Sequence, residues 1–262
     1  MTSIWFYSIA ASLLVSVVSL IGILALLVKN DTLNNSIQFL VSLAVGVLLG
    51  DAFLHLIPDA FVRIGDLQTV LLFTIGGIIL FFFLEKVVRW RHSHDVPEVD
   101  GSLVFQPTAL AKMNLIGDAI HNFVDGTLIA GSFLVDVKLG ITTLIAIVIH
   151  EIPQELGDIG TLIYGGYTPK KAVYYNFLCS LTCVLGALCV LFLGSFMNLP
   201  VAYLLPIAAG GFIYIATSDL IPILQNTIVL TKNLTQGVAI CGGVGCMLFV
   251  NVLENLMNSY DF

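Results

Sequence analysis

Residues 4–28 read IWFYSIAASLLVSVVSLIGILALLV, without one charged side chain. A helix crossing a bilayer needs about 20 mainly apolar residues, and this stretch exceeds that. No basic segment precedes it, so it reads as a first permanent span and not as a cleavable signal. Working outward, breaks at polar, Pro and Gly clusters divide the chain into eight candidate spans: 4–28, 36–57, 69–89, 109–134, 138–164, 170–196, 200–222 and 235–257. The expectation is an all-α membrane protein of eight transmembrane helices, a single polytopic domain over 1–262. Several spans carry glycines, among them Gly46, Gly50, Gly76, Gly77, Gly210, Gly211, Gly242 and Gly243. Small residues allow close helix packing in lipid.

Composition agrees. Of 262 residues, 58% are hydrophobic and only 10% charged, and mean hydropathy is +1.01. A soluble domain carries roughly a quarter charged residues, so lipid is the expected solvent. Ten Lys and Arg against 17 Asp and Glu leave no basic patch for nucleic acid. The five cysteines form no CxxC pair and are expected to be small buried hydrophobes.

Positive charge orients the spans. The connections after spans one, three, five and seven hold Lys29, Lys86, Arg89, Arg91, Lys112, Lys170, Lys171 and Lys232, eight of the ten basic residues. Only Arg63 and Lys138 lie on the other side. Both termini are therefore expected outside, and a plasma (inner) membrane suits so compact a chain. The sequons at Asn30, Asn34 and Asn233 fall on the inner side and should stay unglycosylated. The longest connection, 90–108, is expected to be a cytoplasmic loop containing His92-Ser93-His94-Asp95, either a weak metal collector or simply solvated.

The chemistry sits in spans four and five. The fourth contains Gly117-Asp118-Ala119-Ile120-His121-Asn122-Phe123-Val124-Asp125-Gly126, and the fifth His150-Glu151-Ile152-Pro153-Gln154-Glu155-Leu156-Gly157-Asp158. Ionisable groups at bilayer depth cost several kcal/mol unless paired, hydrated or metal-bound. With about 100° per residue, Asp118, His121, Asn122 and Asp125 share an arc of roughly 100°, and His150, Glu151, Gln154, Glu155 and Asp158 one of roughly 140°. Neither polar face suits lipid, so the two should meet around a common cavity. Asp51 and His55, four residues apart on span two, add a third contributor. Imidazole with carboxylate suits Zn2+, Fe2+ or Mn2+. For His55 alone a purely structural role is as good a reading. For Asp118, Glu155 and Asp158, packing or orienting roles stand level with direct ligation. Pro153 should interrupt the fifth helix beside the cavity, as broken helices do at transporter substrate sites.

At these residues the chain resembles the ZIP family of zinc- and iron-regulated transporter-like proteins, in the branch with the LIV-1 type of signature. That branch carries HNFxDG in helix four, here His121 to Gly126, and HEIPHELGD or a near variant in helix five, here His150 to Asp158. The stretches Gly50 to Pro58 and Phe82 to Lys86 fit the same pattern. The resemblance covers essentially the whole chain. It implies an inverted-repeat bundle (3+2+3), with helices one to three related to six to eight around helices four and five. It implies a transporter, not an enzyme, moving Zn2+ into the cytoplasm, with Fe2+, Mn2+ or Cd2+ as further cargo and no prosthetic group. Two adjacent metal sites are implied between helices two, four and five. His55, His121, Asp125, Glu151 and Gln154 match first-site positions, with His150 lining the cavity. Asn122, Glu151 and Gln154 match the second, with Asn176 on helix six a further candidate. Asp51, Asp118, Glu155, Asp158 and Asn176 are expected along the pathway or around the ligands.

The departure is Gln154, where the LIV-1 pattern usually has His and other branches often Glu. An amide is a poorer zinc ligand and carries no charge. An intramembrane metalloprotease would need HExxH, and Gln154 stands where the second histidine belongs. A zinc-containing receptor or hydrolase would need large extramembrane segments. Beyond metal ions and the bilayer, a homodimer is the one partner left open.

Overall fold

The computed structural model describes residues 2–24, 30–94, 108–194, 198–225 and 230–259, and among these the chain is helical with no strand. Eight long helical segments follow one another. α1 is Thr2–Val18, extended by a 3-10 turn, Ser19–Ile23. α2 covers 30–64, α3 Leu67–His94, α4 Ala109–Val135 and α5 Val137–Tyr164. α6 covers 169–193, α7 198–225 and α8 Leu230–Ser259. Seven are long and apolar enough to cross a membrane. α4 is the exception, because Lys112, Asn114, Asp118, His121, Asn122 and Asp125 interrupt its apolar run. It is also well enclosed by the others, with Asn114, Asp118, His121, Asn122 and Asp125 buried together with Met113, Val124, Ile129 and Ala130. Outward faces carry Phe6, Phe53, Leu72, Phe83, Phe192 and Phe249, while Asp51, His121, Asp125, His150 and Glu151 are buried. That arrangement, polar inside and apolar outside, is the one lipid selects.

Connections are short and capped. Asp66 accepts from Thr69 N at 2.9 Å and Thr69 Oγ1 at 2.5 Å, closing the first turn of α3. Those bonds hold its carboxyl below the usual range. Gly65 before it has φ 77°, a left-handed conformation that ends α2 without the strain a Cβ would bring. Asp136 alone separates α4 from α5, capping the latter through Lys138 N at 2.8 Å. Thr108 and Thr168 cap α4 and α6. Thr108 N donates to Gly165 O at 2.8 Å, fastening the start of α4 to the end of α5.

The structure differs from the sequence reading at several places, one of them α5, which runs as one helix through Pro153 where an interruption was expected. α2 continues through Pro58 to Ile64, and α7 through Pro222 to Gln225, where spans ending at 57 and 222 were expected. In both, a π-helical turn precedes the proline, Ala52–Leu56 and Ile215–Leu220. A proline lacks the N–H that would satisfy the carbonyl four residues earlier. For Pro58 that carbonyl belongs to Leu54, and Asn251 Nδ2 of α8 donates to it instead. α3 runs to His94, so the expected 90–108 loop begins later, and 95–107 lie outside the described residues. Of the cysteines only Cys183 is buried; Cys241 and Cys246 face outward.

The π turns also expose an internal repeat. His55-Leu56-Ile57-Pro58 on α2 corresponds to Asp219-Leu220-Ile221-Pro222 on α7. Gly46 lies the same distance before His55 as Gly210 before Asp219. A Cβ on Gly46 would stand 3.0 Å from Gly243 Cα of α8, and one on Gly210 would stand 2.9 Å from Gly77 Cα of α3. Thus α2 packs on α8 as α7 packs on α3. With each helix crossing once, α2 and α7 run in opposite directions, so the repeat is inverted. α4 and α5 lie between the two sets. α4 is locked to α6 by glycines facing backbone: a Cβ on Gly126 would meet Ala187 N at 2.9 Å, and one on Gly186 Thr127 N at 3.1 Å.

Candidate metal centre

α4 and α5 present their polar faces to each other, and α2 closes the third side. His121 and Asp125, four residues apart on α4, stack one turn above the other, with Nε2 of His121 3.4 Å from Oδ2 of Asp125. α5 contributes His150, whose Nε2 is 3.5 Å from the same Asp125 oxygen. Glu151 Oε1 lies 3.8 Å from His121 Nε2. One ligand atom from each of these four residues falls within 4.8 Å of all the others, and all four residues are buried. Two imidazoles and two carboxylates at that spacing match a tetrahedral N/O donor set.

The hydrogen bonding within the cluster is incomplete. Both ring nitrogens of His121 and His150, both oxygens of Asp125 and Glu151, and both ends of the Gln154 amide are buried without a hydrogen-bond partner. Nearly all buried polar groups in native proteins are satisfied, and the desolvation cost of leaving one bare is about 1–3 kcal/mol. So many converging bare donors are what a cation would satisfy. Zn2+, through borderline-soft imidazole and carboxylate ligands, fits them better than Mg2+ or Ca2+, which take oxygen alone.

α2 supports this group from the side. Asp51 Oδ1 meets His55 Nδ1 at 3.1 Å, and its Oδ2 stands 3.5 Å from His121 Nδ1. A carboxylate on the distal nitrogen of a ligating histidine fixes its tautomer and orientation. Asp51 therefore bridges α2 to the centre. His55 lies beside the four, its ring 5.2 Å from that of His150, between Asp51 and Asp59, whose Oδ2 is 3.7 Å from Nε2. The four-residue group does not include it. On α7, Phe212 packs its ring 5.2 Å from His121.

Of the other expected residues, Asn122 neighbours His121, Asp118 lies one turn before it, and Glu155 and Asp158 lie one and two turns past Glu151. Asn122 donates to Asp118 Oδ1 at 2.8 Å. Glu155 accepts from Asn176 of α6, and Asp158 accepts from Asn114 at 3.0 Å. Sequence reasoning passed over Asn114, Asp59 and Phe212. The first sits four residues before Asp118 on the same helix face, which is a signal that could have found it; the other two depend on which helices become neighbours.

Against known proteins, the family model described as ZIP zinc transporter matches residues 2–103 and 91–251. The chain is 30% identical to zinc transporter zipt-7.2 of Caenorhabditis elegans, over 97% of this chain and 67% of that one. It is 30% identical to zinc transporter ZIP13 of Pongo abelii, over 95% and 79% respectively. With zinc transporter SLC39A7 of Mus musculus it shares 27% identity over 96% and 71%. These matches run from the first helix to the last and include the helices that carry the buried His, Asp and Glu residues. The chain belongs to the ZIP family of zinc transporters.

Proposed function

We propose that this protein carries Zn2+ across a membrane through the centre formed by His121, Asp125, His150 and Glu151. The carrying observation is the convergence of those four buried residues with their polar atoms bare. The family and the relatives named as zinc transporters support the cargo. Fe2+, Mn2+ and Cd2+ suit the same imidazole-carboxylate set and are secondary candidates. Metal enters past Asp51, exchanges water for the centre's ligands with His55 assisting, and leaves after one group of helices rocks against the rest. Gln154, buried beside the centre, keeps the ligand set one negative charge lower than a Glu would, which favours release.

Eight of ten basic residues in alternate connections support termini outside; inward transport rests on the family resemblance, and a plasma (inner) membrane completes this reading. A homodimer stays within this reading, with no surface assigned to it. The test is uptake of Zn2+, Fe2+, Mn2+ and Cd2+ by the purified protein in sealed liposomes, beside a His121→Ala, Asp125→Ala double variant. Uptake by the parent alone supports the proposal. Equal uptake by both overturns the site, and none by either overturns transport.

A further inference from the structure

A cavity of about 510 Å³ opens on the outward side of the bundle between α5 and α8. One wall is the face of α5 that carries Ile149, Ile152 and Leu156. The other is the face of α8 that carries Gly242, Gly245 and Phe249. Both sets follow i, i+3, i+7 spacing, so each is a single stripe along its helix. Leu43 of α2 lies between them, and α2 draws the two walls together from behind. A Cβ on Gly157 of α5 would stand 2.8 Å from Ala44 Cβ, and one on Gly46 would stand 3.0 Å from Gly243 Cα of α8. Helix packing thus accounts for Gly243, whose own Cβ would meet Leu43 O at 2.6 Å. It does not account for Gly242 and Gly245, which meet nothing within 4 Å. A glycine inside a helix costs about 1 kcal/mol against alanine. These two keep the α8 wall free of side chains, and the cavity is the space that results.

Position and chemistry select the occupant. Ile152 and Phe249 at the rim are exposed, so the cavity is continuous with the outward apolar surface that the bilayer covers. Its walls fall near the middle of two spans, Val137–Tyr164 and Asn233–Leu253. The hydrocarbon core of a bilayer is about 30 Å thick, which puts headgroups about 15 Å away from that depth. No charged side chain lines the cavity, and the Cys246 thiol is the one side-chain heteroatom on its walls. A lipid tail has both the reach and the chemistry, and a headgroup has neither. The volume lies within the range of about 300–1,000 Å³ in which proteins bury small ligands, well beyond a dent left by uneven side chains.

We infer that this groove between α5 and α8 holds one acyl chain of a bilayer lipid as a bound ligand, set apart from the lipid that exchanges freely over the remaining surface. Ile149, Ile152 and Pro153 alternate in sequence with His150, Glu151 and Gln154. The tail therefore lies on the back of the same stretch of α5 whose inner face serves the metal centre. Pro153 removes one backbone hydrogen bond from that stretch, and the tail packs against the flank it weakens. The inference rests on the protein's place in a membrane and not on zinc transport.

The experiment joins photocrosslinking to native mass spectrometry on the full-length protein in nanodiscs of phosphatidylcholine that carries a mid-chain diazirine. After release into detergent the parent should retain one lipid per chain. Its adducts should concentrate on the peptides holding Ile152 and Phe249, about tenfold above those on Leu72 and Phe83, which are exposed on α3. Gly245→Leu fills the groove and should lower both readings about tenfold. Gly237→Leu should leave them unchanged, because Gly237 also meets nothing within 4 Å but lies outside the groove. Gly242→Leu takes the place of Gly245→Leu if that variant does not assemble. Adducts spread evenly over the outward faces overturn the site, as do readings that match between the parent and the groove variants. A second copy of the protein seated in the groove would appear as a dimer that Gly245→Leu converts to monomer, without enriched adducts, and that outcome also overturns it. Zn2+ uptake by the parent is measured in parallel. Its absence would overturn the transport reading while leaving the lipid readings to decide this site.

Discussion

Asp125→Asn is the sharpest perturbation of the centre. Oδ2 of Asp125 is the atom shared between two imidazoles, 3.4 Å from His121 Nε2 and 3.5 Å from His150 Nε2. The amide keeps volume and helix position but removes one negative charge from the donor set. Unit charges about 3.5 Å apart interact by about 5 kcal/mol at an effective dielectric near 20, which sets the upper limit. Loss of a partner that merely orients a ligand costs about 10–100-fold in metal affinity, which sets the lower. A direct anionic ligand should fall between, a loss of about 100- to 1,000-fold, or roughly 3–4 kcal/mol. Asp51→Asn is the internal comparison, since Asp51 acts through His55 and His121 and should cost about 10–100-fold. The assay is Zn2+ uptake into proteoliposomes across a wide concentration range, with bound Zn2+ measured on the same preparations. Asp125→Asn within tenfold of the parent would refute its assignment as a ligand. Asp51→Asn matching Asp125→Asn at every concentration would refute the distinction between ligand and orienter.

Further outcomes follow from the same geometry. Gln154→Glu adds an anionic oxygen beside the centre and should lower the Zn2+ concentration for half-maximal uptake by about tenfold while slowing turnover, read from initial rates against concentration. Removing metal with a chelator should lower the thermal midpoint of the parent, because an ion at 100 times its Kd contributes about 2.7 kcal/mol; Asp125→Asn should show a much smaller change. Gly243→Ala should destabilise the α2–α8 contact by about 1–3 kcal/mol, since its Cβ would meet Leu43 O at 2.6 Å and Val47 N at 2.7 Å. Gly242→Ala, facing open space, should be neutral or slightly stabilising, and thermal unfolding in detergent separates the two. Asn251→Ala should leave the Leu54 carbonyl bare at the π turn and lower stability by about 1–3 kcal/mol in the same measurement.

Much of this architecture is written locally. A span shows itself by about 20 mainly apolar residues, and seven such runs appear whatever their neighbours are, with the fourth helix legible through its mixed polar face. The i, i+3 and i+4 spacing of Asp118, His121, Asn122 and Asp125 places them on one face of α4 by helical geometry alone. The same holds for His150, Glu151, Gln154, Glu155 and Asp158 on α5, and the mixture of imidazole and carboxylate already names a class of metal. What the sequence cannot carry is the rotation and register of one helix against another. Those come from backbone-to-backbone approach at Gly46 and Gly243, Gly77 and Gly210, and Gly126 and Gly186, contacts between residues dozens of positions apart or more. Register decides that Asp125 meets both histidines, that His55 stands beside the four-residue group, and that Asp51 reaches His121 from α2. It also divides the two polar stripes into a histidine-bearing centre and an asparagine-clamped trio of acids. Helix boundaries at Pro58 and Pro222 were likewise beyond local reading. A helix can continue past a proline when another donor takes the carbonyl it strands, and Asn251, on another helix, supplies one to Leu54.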